Sequence, residues 1–197
     1  MTSGPKGETT VVEPTPAERT VARRAAESRA TVPHLELTIS RRRSDELTAA
    51  ALIKACAEAL AEHPRVNGAY RDGHFELYSR INIGVVLALP EAYLVPTVFD
   101  ADVKSMEALR AEVEEMRSGA SGGGLTSAAF SGATFTVWNA SELALDQASL
   151  PVVPPQAGLL VAGSSALTLA CDHRILYGAV AAQFLDTVSR RLEAEAG

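Results

Sequence analysis

The chain has 197 residues, of which 47% are hydrophobic and 21% charged, and 18 Lys and Arg against 24 Asp and Glu give a net charge of −6. That length suits one globular domain with a substantial core. The acidic balance argues against a nucleic-acid partner, and no apolar run approaches the roughly 20 residues that a membrane span needs. The N-terminus has no secretory-signal pattern and there are only two cysteines, so we expect a reduced, cytoplasmic protein.

The N-terminal region predicts a tail followed by a helix. Residues 1–14 are rich in Thr, Gly, Pro and Glu, which is typical of a disordered segment, so the folded domain is expected to cover 15–197. Thr15 and Glu18 are spaced as in a capping box, and the helix that they open is predicted to run to about Arg29. Its expected apolar face comprises Val21, Ala22, Ala25 and Ala26.

The middle of the chain alternates extended and helical patterns. The alternation of Leu35–Ile39 predicts a strand with one exposed face. Ser44 or Asp45 is the expected cap of a second helix that reaches about His63 and carries a continuous apolar stripe. Ile81–Leu89 is typical of a strand covered on both faces. The following extended stretch contains a proline, which predicts an edge or a bulge.

The C-terminal half predicts a further series of helix, strands and helix. Ser105 is the expected cap of a third helix, and the small residues Ser118–Gly124 predict a flexible connection after it. Strand patterns follow at Ala133–Trp138, Ala157–Ala162 and Ala166–Ala170. The last helix is predicted to start near Tyr177. Helices interleaved with strands around one mixed sheet indicate an α/β (α+β) fold in two layers.

One segment, Cys171–Gly178, concentrates side chains that can carry chemistry. It lies between a predicted strand and the last helix, and a histidine at such a junction, His173, can deprotonate a thiol or hydroxyl. The alternative is a capping or hydrogen-bonding histidine beside a surface pair of Asp172 and Arg174, and the residues alone favour neither. Cys171 is expected to pack in the core rather than to act as a nucleophile.

The other histidines and the glycines carry weaker signals. His34 at a strand start is expected to be structural, His63 to end a helix, and His74 to lie in a hairpin turn. No pair of histidines or cysteines has the spacing of a metal site, so no metal is expected. The run Gly122–Gly124 neither follows a strand nor precedes Lys-Ser/Thr, which argues against a phosphate-binding loop.

A colinear series of motifs runs along residues 17–195. Its members are the helix and Pro-His of Arg23–His34, the helix and Pro-x-x-Asn turn of Leu52–Gly68, the strands Asn82–Val86, Leu94–Asp102 and Gly132–Val137, and the tripeptide Asp172-His173-Arg174. In this order they resemble the catalytic domain of the dihydrolipoamide acyltransferases of 2-oxoacid dehydrogenase complexes, which has the chloramphenicol acetyltransferase-like fold. Each motif alone is weak, whereas the series is specific.

This resemblance implies acyl transfer. In the family, the histidine equivalent to His173 takes the proton of an acceptor thiol or hydroxyl, which attacks an acyl thioester while a nearby hydroxyl stabilises the oxyanion. The resemblance also implies that no cofactor is bound and that acetyl-CoA or another acyl-CoA is the co-substrate. It further implies a homotrimer whose active sites lie between subunits.

Two positions depart from the family pattern. Trp138 stands where the family has the Ser or Thr that binds the oxyanion, and Tyr177 stands four residues after His173 where the family has Asp or Asn. Tyr177 is a candidate catalytic residue, for orienting the site or binding the oxyanion, with packing as the alternative. Trp138, Asn139 and Ser141 are candidates for substrate binding, and the last two have a surface polar role as the alternative.

The leading hypothesis is a minimal, stand-alone acetyltransferase that modifies a small or carrier-bound acceptor, similar to the tetronate-pathway acetyltransferases of antibiotic biosynthesis. The alternative is a catalytically degenerate scaffold or binding protein of the same fold, which the missing oxyanion hydroxyl favours. A third possibility, antibiotic acetylation of the chloramphenicol type, fits the spacing less well. The polar residues 193–197 replace an apolar tail of the family and predict trimers that do not assemble into a cage.

Overall fold

A computed structural model describes residue 5 and residues 7–41, 47–89 and 93–195. Of the expected tail, residues 8–14 are exposed and lie outside helices and strands, and residues 1–4 and 6 fall outside the described part. No helix among the described residues is both long and apolar enough to cross a bilayer. The helices are α1 (Pro16–Thr31), α2 (Ala49–Glu62), α3 (Met106–Gly122) and α4 (Gly178–Glu195). The strands are β1 (His34–Ser40), β2 (Gly68–Arg71), β3 (His74–Leu77), β4 (Ile83–Val85), β5 (Leu87–Ala88), β6 (Tyr93–Leu94), β7 (Thr97–Val98), β8 (Phe135–Asn139), β9 (Gly158–Ala162) and β10 (Ala166–Asp172).

Six strands form the central sheet in the order β1-β10-β9-β8-β4-β7. The pairs β4–β8 and β8–β9 are parallel and the remaining pairs antiparallel, so the sheet is mixed, as the sequence predicts. β2 and β3 form a separate hairpin. Its turn residues Asp72 and Gly73 have φ values of 49° and 83°, which suit a two-residue turn whose twist matches that of the strands.

Strand direction decides which end of the sheet each candidate residue occupies. Cys171 near the end of β10 pairs with Gly158 at the start of β9, whereas Trp138 near the end of β8 pairs with Val161. The carboxyl ends of β10 and β8 therefore lie at opposite ends of the sheet. Cys171 and Trp138 are separated by about 10 Å along the direction of β9, because their partners Gly158 and Val161 are three residues apart and a strand rises about 3.3 Å per residue.

Helices α2 and α4 pack on one face of the sheet and build the main core. Phe184 of α4 is fully buried and meets Phe135 of β8 edge-on, with ring centroids 5.5 Å apart. His63 ends α2 as its C-cap, as expected. Its ring meets the Phe184 ring edge-on, with centroids 6.0 Å apart, and its Nε2 lies 3.0 Å from the Thr187 hydroxyl. The buried face of α4 contains the predicted residues Ala181, Phe184, Leu185, Val188 and Leu192.

Helix α1 begins as predicted but packs differently. The Glu18 N–H donates to the Thr15 hydroxyl at 3.3 Å and the Thr15 N–H donates to the Glu18 carboxylate at 2.6 Å, which is a complete capping box. The expected apolar face is wrong at Ala22 and Ala26, which are exposed, whereas Val21 and Ala25 are half-buried; the buried residue of the helix is Ser28. Alanine methyl groups offer little apolar area, so burying them contributes little free energy. Ser28 instead anchors the helix by donating to the Val152 carbonyl at 2.6 Å.

Two predicted boundaries in the first half of the chain differ from those observed. Helix α2 starts at Ala49 under a cap by Thr48, whose hydroxyl accepts the Ala51 N–H at 3.2 Å. The caps expected from the sequence, Ser44 and Asp45, lie outside the described residues. The single predicted strand over residues 81–89 is divided into β4 and β5, because β4 pairs with β7 and β8 in the central sheet whereas β5 pairs with β6 in a separate two-stranded sheet.

The predicted flexible connection Ser118–Gly124 is wrong in its first part, because α3 continues to Gly122. Gly123 takes a left-handed φ of 70° as the C-cap, and the Gly124 N–H returns to the Gly119 carbonyl at 2.9 Å. The side chain of Leu125 lies close against Gly119. These hydrogen bonds and this contact compensate for the cost of about 1 kcal/mol that each glycine brings to a helix.

Candidate active site

The segment that the sequence singles out is a tight turn between β10 and α4. The carboxylate of Asp172, which is 2% exposed, accepts the Arg174 N–H at 2.9 Å and its guanidinium at 2.7 to 3.1 Å. This hydrogen bond to Asp172 raises the pKa of Arg174. The Asp172 carbonyl accepts the N–H groups of Ile175 and Leu176 at 3.1 and 2.9 Å. The pair is therefore a structural element that holds the turn, rather than the surface pair that the sequence left open.

His173 is exposed at the top of this turn. Its N–H donates to the Pro33 carbonyl at 2.9 Å, and its Nδ1 lies 3.1 Å from the Leu176 carbonyl oxygen. A carbonyl oxygen only accepts, so this contact assigns the proton of the neutral ring to Nδ1 and leaves the lone pair on Nε2. The turn thus positions an imidazole whose basic nitrogen is not engaged by any described residue.

Tyr177 borders the imidazole. Its ring is 48% exposed and meets the His173 ring edge-on, with centroids 6.0 Å apart and an interplanar angle of 77°. The guanidinium carbon of Arg65 lies 4.9 Å from the Tyr177 ring centre and 4.5 Å from that of Phe75. Sequence reasoning missed Arg65 and Phe75, since they lie in the turn after α2 and in the β2–β3 hairpin and no spacing rule relates them to Tyr177.

The other three predicted site residues gather at the opposite end of the sheet. Trp138 and Asn139 line a groove of about 570 Å³, together with residues of β5 and α3 and with the ion pair of Arg117 and Glu142. The Asn139 amide donates to the Leu47 carbonyl at 2.8 Å and to Glu142 at 3.1 Å, and its oxygen accepts the Ser141 hydroxyl at 2.6 Å. Asn139 and Ser141 therefore stabilise the wall of the groove, and Trp138 contributes an aromatic surface to it.

Within one chain, the structure brings His173 and Tyr177 together and separately brings Trp138, Asn139 and Ser141 together. It does not join the two groups. Besides the distance along the strands, two strand spacings of about 4.8 Å separate β10 from β8. One subunit alone therefore has no site that contains both groups.

The remaining candidate nucleophiles and ligands are structural. Burial, aided by the nearby Asp172 charge, raises the pKa of the Cys171 thiol to about 12, and burial also raises the pKa of Cys56. Neither thiol is ionised near neutral pH, which agrees with the expected core role of Cys171. The His34 ring is held on both sides, by the Val32 carbonyl at 2.8 Å and by the Val152 N–H at 3.1 Å. In the described ranges, no three His, Cys, Asp or Glu side chains gather as a metal site.

A mixed sheet with helices on one face and an exposed histidine in the turn before the last helix defines the class as the chloramphenicol acetyltransferase-like fold. A chloramphenicol acetyltransferase superposes with a TM-score of 0.58 at 12% identity, covering 86% of this chain and 94% of that chain. A probable dihydrolipoamide acetyltransferase from Listeria monocytogenes superposes with a TM-score of 0.89 at 25% identity, covering 94% of this chain and 95% of that chain.

Sequence comparison identifies the family within this class. The model of the 2-oxoacid dehydrogenases acyltransferase (catalytic domain) family matches residues 40–196, and the chain belongs to that family. The mitochondrial acetyltransferase component of the Dictyostelium discoideum pyruvate dehydrogenase complex is 28% identical over 95% of this chain and 35% of its own length. The Mycoplasma capricolum component is 31% identical over 68% of this chain and 35% of its own length.

The chain spans about a third to a half of the length of the first curated relatives that it matches. Membership of the family confirms the resemblance, and the superpositions confirm the fold predicted from the sequence.

Proposed function

We propose that this chain transfers an acyl group from a pantetheine thioester, foremost acetyl-CoA, to a hydroxyl or thiol of a small acceptor. The observation that carries the proposal is the state of His173, whose ring is exposed and whose Nδ1 is held by the Leu176 carbonyl. Nε2 is then free to act as a general base. The relatives described above are acetyltransferase components, which supports the same chemistry. The proposed reaction needs no bound cofactor.

In the proposed reaction, Nε2 of His173 takes the proton of the acceptor O–H or S–H while the oxygen or sulfur attacks the thioester carbonyl carbon. The tetrahedral intermediate collapses by breaking its C–S bond, and the imidazolium returns the proton to the leaving thiolate. Nδ1 carries a hydrogen in both the neutral and the charged ring, so its bond to the Leu176 carbonyl persists through the cycle.

We assign Tyr177 to the catalytic machinery as the group beside the base. A phenol donates hydrogen bonds, and the ring is held against both His173 and Arg65. Tyr177 therefore suits the task of orienting the substrate carbonyl or stabilising its oxyanion, for which the family uses a hydroxyl at the position of Trp138. In this proposal Trp138 forms the acceptor surface, supported by Asn139 and Ser141.

We further propose a homotrimer in which the groove of one subunit faces the His173 turn of the next. The separation of the two residue groups within one chain supports this, because a site that uses both needs a second copy. One similar structure, at 25% identity and a TM-score of 0.89, is the cubic core of a pyruvate dehydrogenase multienzyme complex. Size-exclusion chromatography with light scattering measures the proposed trimer, and a monomer would contradict it.

The acceptor that we propose is a small hydroxylated intermediate of secondary metabolism, similar to those of tetronate pathways, modified in the cytoplasm either free or on a carrier protein. The exposed part of Trp138 in the groove supports a flat acceptor, because an indole face stacks on planar groups. A flexible aliphatic arm gains less from such a surface.

Incubation with acetyl-CoA and a panel of primary alcohols and thiols tests the proposed function. We expect an acetylated product, detected by mass spectrometry, together with free CoA in equal amount. Reactions without protein and without acceptor are the controls for spontaneous hydrolysis of the thioester. If no member of a broad panel is acetylated above these controls, the scaffold or binding role is favoured instead.

A further inference from the structure

Arg65 is a cation without a carboxylate partner beside the proposed general base. Its guanidinium carbon lies 4.5 Å from the ring centre of Phe75 and 4.9 Å from that of Tyr177. Its Nε is buried without a hydrogen-bond partner, and no carboxylate in the described ranges pairs with it. By contrast, Arg174 is paired with Asp172 and Arg191 with two glutamates.

The missing partner does not reflect a shortage of acidic residues, because the chain has 24 Asp and Glu against 18 Lys and Arg. Contact with two aromatic rings satisfies the guanidinium charge in part and gives its N–H donors no carboxylate to bind. A planar fork of donors held in this way matches the two oxygens of a carboxylate or a similar anion. Among the described residues, no carboxylate supplies such an anion to Arg65.

We propose that Arg65 is a specificity-determining subsite that binds a negatively charged group of the acyl acceptor. The preferred acceptor then carries a carboxylate or similar anion close to its nucleophilic hydroxyl or thiol. This proposal rests on the proposed function, since it takes His173 as the group that receives the acceptor. The guanidinium carbon of Arg65 lies 4.9 Å from the Tyr177 ring centre, which lies 6.0 Å from the His173 ring centre. The guanidinium of Arg65 and the imidazole of His173 are therefore at most about 11 Å apart, a distance that one small acceptor can bridge with hydrogen bonds at both ends.

This span favours the acceptor over the thioester donor as the source of the anion. A small acid with two or three carbons between its carboxylate and its nucleophile reaches both groups with hydrogen bonds of about 2.8 to 3.2 Å at each end. In a pantetheine thioester, about thirteen covalent bonds separate the phosphate from the sulfur. At about 3.5 Å for every three bonds of extended chain, that is roughly 15 Å, which exceeds the span.

The test compares two thiol acceptors of matched size, 3-mercaptopropionate and 3-mercapto-1-propanol, with acetyl-CoA as donor. Chromatographic measurement of released CoA gives kcat/KM for each thiol. We expect the wild-type protein to prefer the anionic thiol by about tenfold or more, and Arg65→Gln to lose most of this preference, because a charge-assisted hydrogen bond is removed. Arg65→Lys is expected to keep part of it, since lysine retains the charge without the planar fork.

Arg110→Gln is the matched control, because Arg110 is an exposed arginine of α3 that lies beside Leu47–Ala50. It is expected to keep the wild-type preference. An unchanged preference in Arg65→Gln overturns the proposal. An equal loss of rate with both thiols also overturns it, because that is the effect of loosening Tyr177 without any recognition of charge.

A binding measurement distinguishes failure of this proposal from failure of the proposed function. NMR titration with 3-mercaptopropionate, without acyl donor, follows the ring resonances of Tyr177 in the wild type and in Arg65→Gln. If no member of the acceptor panel, the two thiols included, is acetylated but the titration saturates in the wild type alone, acyl transfer is wrong and the anion subsite is supported. Shifts of equal size in both proteins overturn the subsite.

Discussion

Replacement of His173 by glutamine is expected to lower kcat for acyl transfer by about 10²- to 10⁴-fold, the usual contribution of a positioned general base. A glutamine amide keeps a polar side chain of similar size, but neither its oxygen nor its nitrogen is basic near neutral pH. Because the side chain is exposed, the free energy of unfolding should stay within about 1 kcal/mol of the wild type. Steady-state kinetics and urea denaturation measure the two effects.

A second exposed histidine supplies the control for this substitution. His74 lies in the β2–β3 hairpin, and His74→Gln is expected to keep the wild-type kcat. If His173→Gln kept more than about a tenth of the wild-type turnover, another group would be the base.

The elements that the sequence predicts well are those decided by neighbouring residues. The capping box of Thr15 and Glu18 needs only four consecutive residues, and it is present as predicted. Strand β1 and the buried face of α4 follow from periods of 2 and 3.6 residues, which depend on local geometry alone. The placement of His173 between β10 and α4 is of the same kind, because both elements are recognisable from the residues that flank it.

The features that the sequence does not predict depend on contacts between distant segments. The exposure of Ala22 and Ala26 on α1 is decided by what packs against them, and the contacts of Arg65 with Phe75 and Tyr177 join three separate segments of the chain. The tautomer of His173 likewise depends on the path of the chain to the Leu176 carbonyl. None of these contacts leaves a periodic signal in the sequence.

The separation of Trp138 from His173 shows the same limit for the candidate site. Both residues were predicted to contribute to one site, and both lie at the carboxyl ends of strands. Because β10 runs antiparallel to β9 and β8 runs parallel to it, the two ends point in opposite directions. Local patterns identify each strand but not its direction relative to its neighbours. Whether the residues meet across a subunit boundary therefore depends on the proposed trimer.

The second large effect is expected at the core contact that holds α4 on the sheet. Phe184→Ala should lower the free energy of unfolding by about 3–5 kcal/mol, because it removes a fully buried ring and leaves a cavity. The lost contacts are those with Phe135 at 5.5 Å and His63 at 6.0 Å, so the gap opens between α4, β8 and the end of α2. Chemical denaturation measures the change.

Phe75→Ala is the matched control for this core substitution, since its ring is 45% exposed and its loss should cost no more than about 1 kcal/mol. Equal losses in the two variants would contradict the assignment of Phe184 to the core.

The packing of α4 also affects the candidate site, because Tyr177 directly precedes α4 and the Ala181 N–H donates to the Tyr177 carbonyl at 3.0 Å. A cavity at Phe184 that loosens the first turn of α4 should therefore lower kcat as well, whereas Phe184→Leu, which keeps most of the buried volume, should preserve both stability and rate more closely.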